Sequence, residues 1–217
     1  MTRVIGFLGG DKYDFISYVG RALSQMNLKV LLIDYTSLQE VMATVPEYIF
    51  RKVTEYQELF YVGALPFEEV KSYIEEETFD FILMDFEYAC KNMEFFLCQS
   101  VCFVTDMQRH HLEIVENIKV PMTMERFLVV KEENPVRKIS SYLKQMMTEM
   151  KLEEENYFSC PWGEKERKNQ MRCQYQYQIP WDKTSSAIKK IIWCMIQKWL
   201  EYHEQEETAA LHIGGNV

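Results

Sequence analysis

The sequence predicts an α/β fold: a doubly wound, mainly parallel β-sheet with helices on both faces. Short apolar segments alternate along the chain with segments whose apolar residues recur at helical spacing. The apolar segments are too uniformly hydrophobic to have a solvated face, which is typical of parallel strands that are covered on both sides. Such an alternation indicates right-handed βαβ units. In a sheet of this kind, ligands bind at the carboxyl ends of the strands.

The order of the elements follows from these two patterns. The apolar runs predict strands at residues 3–8, 28–34, 59–64, 79–85, 100–105 and 126–131, with a weaker strand near residues 156–159. Helical periodicity predicts helices at residues 15–26, 67–77, 107–118, 135–150 and 184–203. Residues 161–180 are polar and have no clear period, so we expect an excursion or loop there.

The length of the chain favours one large domain over two small ones. Its 217 residues are enough to bury a substantial core. We expect a single domain over residues 1–205, followed by a frayed C-terminal tail over residues 206–217.

Charge and composition argue against several kinds of function. A formal charge of -9 and a pI near 5.1 disfavour nonspecific binding of nucleic acid, which depends on a basic surface. The six cysteines include no CxxC pair, so no metal site is expected. The sequence shows neither a secretory leader nor an apolar run close to the roughly 20 residues that span a bilayer. We therefore expect a cytoplasmic protein.

Aspartates follow three of the predicted strands. Asp34 ends "VLLID", Asp85 ends "FDFILMD", and Asp106 follows "VCFVT", while Gly9-Gly10 ends the first strand. In phosphoryl-transfer enzymes such aspartates hold Mg²⁺ or orient the attacking water, and the glycine loop presents backbone N–H groups to phosphates. The simpler explanation for any one aspartate is that a buried strand must end in something polar.

The order of these segments resembles the MinD/ParA group of P-loop ATPases, of the SIMIBI class. The similar segments are "RVIGFLGG", "NLKVLLIDY", "FDFILMDF", "VCFVTDMQRHHLEIVENI", "RFLVVKEENPVRKISSYLKQMM" and "YQIPWDKTSSAIKKIIWCMI", which cover the chain to about residue 200. The resemblance implies the P-loop fold. It also implies that Asp34 ends the second strand of the family, that Asp85 is the Walker B aspartate, and that Asp182 lies near the nucleotide base.

The phosphate-binding loop departs from the pattern of that family. The family loop is rich in glycine, carries two lysines and ends in GK followed by Ser or Thr, whereas this chain has "GGDKYD" at residues 9–14. With Lys12 aligned to the lysine that contacts the phosphates, Asp11 replaces a glycine and Tyr13 replaces the hydroxyl that binds Mg²⁺. A carboxylate repels a triphosphate, and a phenol is too long to place its oxygen on the ion. We therefore interpret the loop as degenerate and assign no catalytic residue.

The resemblance and the degenerate loop together predict a binding or positioning module for a larger machine, of the pilus, secretion or partition type, with protein partners and no cofactor. The TadZ/CpaE proteins of pilus assembly are the nearest analogy. The alternative is a slow or atypical ATPase that binds ATP and Mg²⁺ and uses Lys12, Asp34 and Asp85. If a nucleotide is bound, the expected ligands are Gly9, Gly10, Lys12, Asp34, Asp85 and Asp182.

Two apolar surfaces suggest where partners bind. Dimers of the MinD/ParA family form across the nucleotide, and four aromatic residues near the strand ends either anchor a homodimer there or pack locally: Tyr13, Phe15, Tyr35 and Phe86. The helix near residues 184–203 has an apolar face flanked by lysines, which suits a core-packed helix or a peripheral membrane contact. The basic stretch at residues 164–172 is either a solvated loop or a contact for an acidic partner.

Overall fold

The computed structural model describes residues 1–47, 49, 51–88, 92–132 and 141–214, with side chains to residue 201. The strands are β1 (Arg3–Gly9), β2 (Val30–Asp34), β3 (Thr54–Tyr56), β4 (Leu59–Gly63), β5 (Phe81–Asp85), β6 (Ser100–Asp106), β7 (Glu125–Glu132) and β8 (Tyr157–Pro161). The helices are α1 (Tyr13–Ser24), α2 (Phe67–Glu75), α3 (Arg109–Glu116), α4 (Ser141–Glu149), α5 (Glu164–Tyr175) and α6 (Ser186–Gly214).

These strands form one sheet in the order β3-β4-β2-β5-β1-β6-β7-β8. Every neighbouring pair is parallel except β3 and β4, which form an antiparallel hairpin at one edge. The expected mainly parallel, doubly wound sheet is confirmed. The strand β3 is not among the predicted strands, because three residues are too short to show an alternating pattern.

Alternate side chains of each central strand enter two separate cores. In β1, Ile5 and Phe7 pack on the side of α1 and α6, while Val4 and Leu8 pack on the side of α2, α3 and α4. A strand that is buried on both faces must be apolar at every position, which explains the continuous runs in the sequence. The parallel arrangement brings the carboxyl ends of β1, β2, β5, β6 and β7 to the same edge.

The helix α5 corrects the expectation of a loop over residues 161–180. Only three residues of α5 are buried, namely Glu166, Asn169 and Cys173. The first two of these are polar. A helix with so narrow and so polar an inner stripe gives no apolar period in the sequence. Its first turn is fixed because the Gly163 N–H donates a hydrogen bond to Glu166 Oε2 at 3.3 Å, the backbone half of a capping box.

The apolar face of α6 packs into the core. Trp199 is fully buried, with its ring 5.6 Å from that of Phe127 and 6.5 Å from that of Phe7. The backbone is helical to Gly214, so the helix continues past residue 206; the division into a domain of residues 1–205 and a tail of residues 206–217 stays a prediction. Of the helices described, none is both long enough and apolar enough to cross a membrane. The predicted start of the fourth helix, near residue 135, lies outside the described residues.

Candidate functional site

Two residues of the turn between β1 and α1 have positive φ angles, Gly9 and Asp11. Gly9 has φ +117°, and a Cβ there would lie 1.9 Å from the Val104 carbonyl oxygen, so only glycine fits. Asp11 has φ 49°, in the left-handed region that a glycine adopts more easily. The loop therefore keeps the conformation that glycine favours at a position where this chain has Asp11.

The Lys12 side chain turns into the protein. Lys12 is only 1% exposed, its Nζ lies 2.7 Å from Asp85 Oδ1, and it donates a hydrogen bond to the Gly9 carbonyl oxygen at 2.8 Å. The ammonium group that the resemblance assigns to the phosphates is thus occupied by a carboxylate of the same chain.

Asp85 has Lys12 as its charged partner. It ends β5 next to Asp34, with which it is in register, and it is 1% exposed. Apart from the contact with Lys12, neither of its carboxylate oxygens accepts a hydrogen bond within the described residues. Burial raises the pKa of Asp85 to about 7, with the Lys12 charge acting in the opposite direction and the nearby Asp34 adding to the rise.

The carboxylate of Asp34 accepts four hydrogen bonds from the loop that follows β2. Its Oδ1 accepts hydrogen bonds from the Thr36 N–H at 2.9 Å and the Thr36 hydroxyl at 2.7 Å. Its Oδ2 accepts from the N–H groups of Val41 at 2.8 Å and Met42 at 3.1 Å. A carboxylate offers about four lone-pair positions, so Asp34 has none left for a metal ion.

A second buried ion pair lies at the N-terminus of α1. Asp14, in the first turn, is fully buried, and its Oδ1 lies 3.0 Å from Lys131 Nζ and accepts a hydrogen bond from the Phe15 N–H at 2.8 Å. Burial raises the pKa of Asp14, and Lys131 opposes that rise. The Asp14 carboxylate thus lies in the first turn of α1, where the partial positive charge of the helix N-terminus favours an anionic group.

Lys131 also contacts other residues at the carboxyl ends of the strands. It ends the apolar part of β7, donates a hydrogen bond to the Asp11 carbonyl oxygen, and lies 3.8 Å from the centre of the Trp162 ring. A cation held by a carboxylate, a carbonyl and an aromatic face is satisfied without a ligand.

The outer side of the loop is also covered. A Cβ on Gly10 would lie 2.1 Å from the Tyr88 hydroxyl, so Tyr88 rests directly on the loop. From α5, Gln170 Nε2 donates a hydrogen bond to Asp11 Oδ1, and the Tyr13 hydroxyl donates one to the Gln170 carbonyl oxygen at 3.4 Å. Side chains therefore contact the loop on its outer side, through Tyr88 and Gln170, as well as on the side that faces the sheet, through Lys12 and Lys131.

Beside the loop, a cleft of about 820 Å³ opens at the ends of β6, β7 and β8. Asp106 lines it and accepts hydrogen bonds from the Gln108 N–H at 2.8 Å and from His111 Nδ1 at 2.9 Å. Partial burial acts to raise the pKa of Asp106, but these hydrogen bonds outweigh it, and the pKa is lowered. Among the residues that the structure describes, no three His, Cys, Asp or Glu side chains are grouped to hold a metal ion.

The predicted nucleotide ligands are only partly brought together. Gly9, Gly10, Lys12, Asp34 and Asp85 meet at the strand ends, as the topology requires. Asp182 does not line the cleft beside them: it is exposed on a short 3₁₀ helix, Trp181–Lys183, and lines a different groove.

The four aromatic residues expected at an interface do not form one patch. Tyr13 and Phe15 are buried in the core on the α1 side, whereas Phe86 is buried in the opposite core, with the half-buried Tyr35 stacked on it at 5.1 Å. This placement agrees with the local-packing interpretation of these residues. Self-association through them stays a prediction.

Three residues at the loop are not among the predicted site residues: Lys131, Tyr88 and Gln170. Lys131 had a readable signal, because a lysine closes the otherwise apolar "RFLVVK" just as an aspartate closes the neighbouring strands. Tyr88 and Gln170 had none, since both reach the loop from irregular or unpatterned segments.

Comparison with solved structures identifies similar folds. The chain is similar to the MinD cell division protein of Aquifex aeolicus, with a TM-score of 0.67 and 15% identity over 90% of this chain and 96% of that one. It is also similar to a ParA family ATPase from Chlorobium tepidum TLS, with a TM-score of 0.64 and 15% identity over 89% and 98% of the two chains. A third match is a putative plasmid partition protein from Borrelia burgdorferi B31 bound to AMPPNP, with a TM-score of 0.56 and 15% identity over 91% and 100%. No protein-family model and no curated sequence matches the chain.

Proposed function

The chain has the fold of the ParA and MinD ATPases, and we propose that it uses this fold as a binding or positioning module of a larger assembly, without turnover of ATP. The partner machinery would be of the pilus, secretion or partition type. The observation that carries the proposal is the buried ion pair between Lys12 and Asp85, 2.7 Å apart.

The residues at the loop do not fit Mg-ATP. For Lys12 to contact a phosphate it must leave Asp85, and the Asp85 carboxylate would then remain buried without its cation, which is unfavourable. Tyr13 stands where the hydroxyl that binds Mg²⁺ belongs, and its ring is buried. Asp34 has no free lone pair for the ion, and Asp14 already provides the negative charge at the N-terminus of α1.

Two solved structures of similar fold support the proposal, one with a bound nucleotide and one with a bound partner protein. The putative plasmid partition protein from Borrelia burgdorferi B31 was solved bound to AMPPNP, so a protein of this fold can hold a nucleotide. The MinD protein of Aquifex aeolicus was solved in a complex with MinC, which supports the idea that this fold presents surfaces for protein partners. For this chain we therefore place the function in its protein contacts, including contact with a second copy.

Isothermal titration with Mg-ATP and a phosphate-release assay test the proposal. They are carried out on the wild type, on Lys12→Ala and on Lys71→Ala, a control at an exposed lysine of α2. We expect no saturable heat and no phosphate release above the level of buffer in any of the three. The alternative function, an atypical ATPase that uses Lys12, Asp34 and Asp85, requires tight binding and turnover that Lys12→Ala abolishes and Lys71→Ala leaves intact.

A further inference from the structure

A groove of about 490 Å³ lies between α5 and the 3₁₀ helix at Trp181–Lys183. Among the residues that the structure describes, it shares no lining residue with the cleft at the strand ends. Of the described residues that line it, four are cationic and two are carboxylates: Lys165, Lys168, Arg172 and Lys183, with Glu164 and Asp182. In a chain whose formal charge is -9, this is a local concentration of positive charge.

Hydrogen bonds fix the two walls of the groove relative to each other. Asn169, which is 2% exposed, donates a long hydrogen bond of 3.5 Å from Nδ2 to the Lys183 carbonyl oxygen. Its Oδ1 accepts one from the Arg172 guanidinium at 3.3 Å. The buried asparagine thus joins α5 to the 3₁₀ helix and orients Arg172, so the groove is formed before anything binds in it.

Next to the cationic side chains, the outer face of α5 exposes two large apolar residues. Met171 is 56% exposed and Tyr175 is 74% exposed. They are four residues apart, and Tyr175 is seven residues from Lys168, so all three lie along one side of the helix. Tyrosine, methionine and arginine are the residues enriched at the centres of protein interfaces.

We propose that this groove binds an acidic segment of a partner protein. Carboxylates of the segment would face Lys165, Lys168 and Arg172, and an apolar side chain would pack on Met171 and Tyr175. The ion pair of Lys168 with Glu164, at 2.7 Å, does not block this contact, because both side chains are more than two-thirds exposed and such pairs are weak in water.

An acidic peptide suits this surface better than a nucleic acid does. The two carboxylates in the groove and the overall negative charge repel a continuous phosphate backbone, whereas a peptide can place its acidic residues only where cations lie. The inference rests on the proposed function in one respect, namely that the protein acts by binding a partner.

Fluorescence anisotropy at low salt tests the inference. The probe is a fluorescein-labelled peptide of Glu and Asp residues with one central Leu, alongside a peptide with Gln and Asn in their place and a single-stranded oligo-dT. The groove variant is Lys165→Glu/Lys168→Glu. The control is Lys71→Glu/Lys144→Glu, which changes the charge equally at exposed lysines of α2 and α4. Tyr175→Ala tests the apolar part of the surface, and circular dichroism checks that each variant is folded.

We expect the wild type to bind the acidic peptide and not the peptide that has Gln and Asn in place of Glu and Asp. The groove variant should weaken this binding about tenfold, and the control should change it less than about twofold. Tyr175→Ala should weaken it about threefold or more. Absence of saturable binding to the wild type, equal loss in the control, or tighter binding of oligo-dT than of the peptide would each overturn it. Binding of Mg-ATP would contradict the proposed function without affecting this result, so the two failures are distinguishable.

Discussion

The direction of the Lys12 side chain distinguishes a loop that can bind a nucleotide from one that is closed to it. An ammonium group that is almost fully buried needs a partner, and Asp85 provides it at 2.7 Å. Asp14 and Lys131 repeat the arrangement at the N-terminus of α1. Carboxylates and ammonium groups of the same chain thus form two buried ion pairs beside the turn between β1 and α1.

Breaking the first ion pair should therefore destabilise the protein. We expect Lys12→Ala to lower the free energy of unfolding by about 3–5 kcal/mol, because Asp85 is left buried without its cation. The double variant Lys12→Met/Asp85→Leu should lose less than Lys12→Ala, since no charge remains to be buried. Urea unfolding measures both, and Lys71→Ala, at an exposed site, should change stability by less than about 0.5 kcal/mol. A loss in the double variant that equals or exceeds the loss in Lys12→Ala would contradict the coupling.

The raised pKa of Asp85, about 7, predicts a pH dependence. Its unfolded pKa is near 3.8, so between these values the folded state holds a proton that the unfolded state has lost. The contribution of Asp85 to stability must then fall as pH rises from about 4 to 7, by at most about 1.4 kcal/mol per pH unit, and stay level above that range.

Urea unfolding of wild type and Asp85→Asn across this range measures the effect. The stability of the wild type relative to the variant should decrease from pH 4 to 7. A difference that is constant with pH, or that increases, would show that Asp85 is not a buried acid of raised pKa.

At the scale of elements, the turn from β1 to α1 depends on Gly9. We expect Gly9→Ala to cost about 2–3 kcal/mol, because a Cβ would lie 1.9 Å from the Val104 carbonyl oxygen and φ is +117°. Thermal denaturation followed by circular dichroism checks this. Gly163→Ala is the matched control: its Cβ would meet Glu166 Oε2 at 3.6 Å, and the loss should stay below about 1 kcal/mol. Equal losses in both variants would contradict the account of the turn.

The parallel strands could be predicted because burial on both faces forces apolar residues at every position. The short β3 could not, and α5 could not either, since its buried residues are mostly polar and its position depends on contacts with distant parts of the chain. The convergence of Gly9, Lys12, Asp34 and Asp85 followed from the topology. The ion pair between Lys12 and Asp85 could not be predicted, because the sequence does not determine in which direction a lysine side chain points.

At the scale of the whole molecule, the fold should be complete without a nucleotide. A ligand that binds the folded state raises its stability in proportion to RT ln(1 + [L]/Kd), so a closed site predicts no change. We expect the melting temperature to be the same in MgCl₂ alone and in Mg-ATP. A reproducible increase with ATP concentration would count against closure.

Its oligomeric state should also be independent of nucleotide. If a homodimer forms, side chains alone must hold it, so sedimentation velocity should give the same distribution with and without Mg-ATP. A shift from monomer to dimer on addition of Mg-ATP would favour the alternative of an ATP-binding protein.

A crystal structure of the protein, from crystals grown with Mg²⁺ and a non-hydrolysable ATP analogue, would show directly whether the turn between β1 and α1 holds a nucleotide. We expect Lys12 Nζ to remain within hydrogen-bond distance of Asp85 and no triphosphate to occupy the turn between β1 and α1. Electron density for the analogue on this turn, with Lys12 turned from Asp85 to its phosphates, would contradict it.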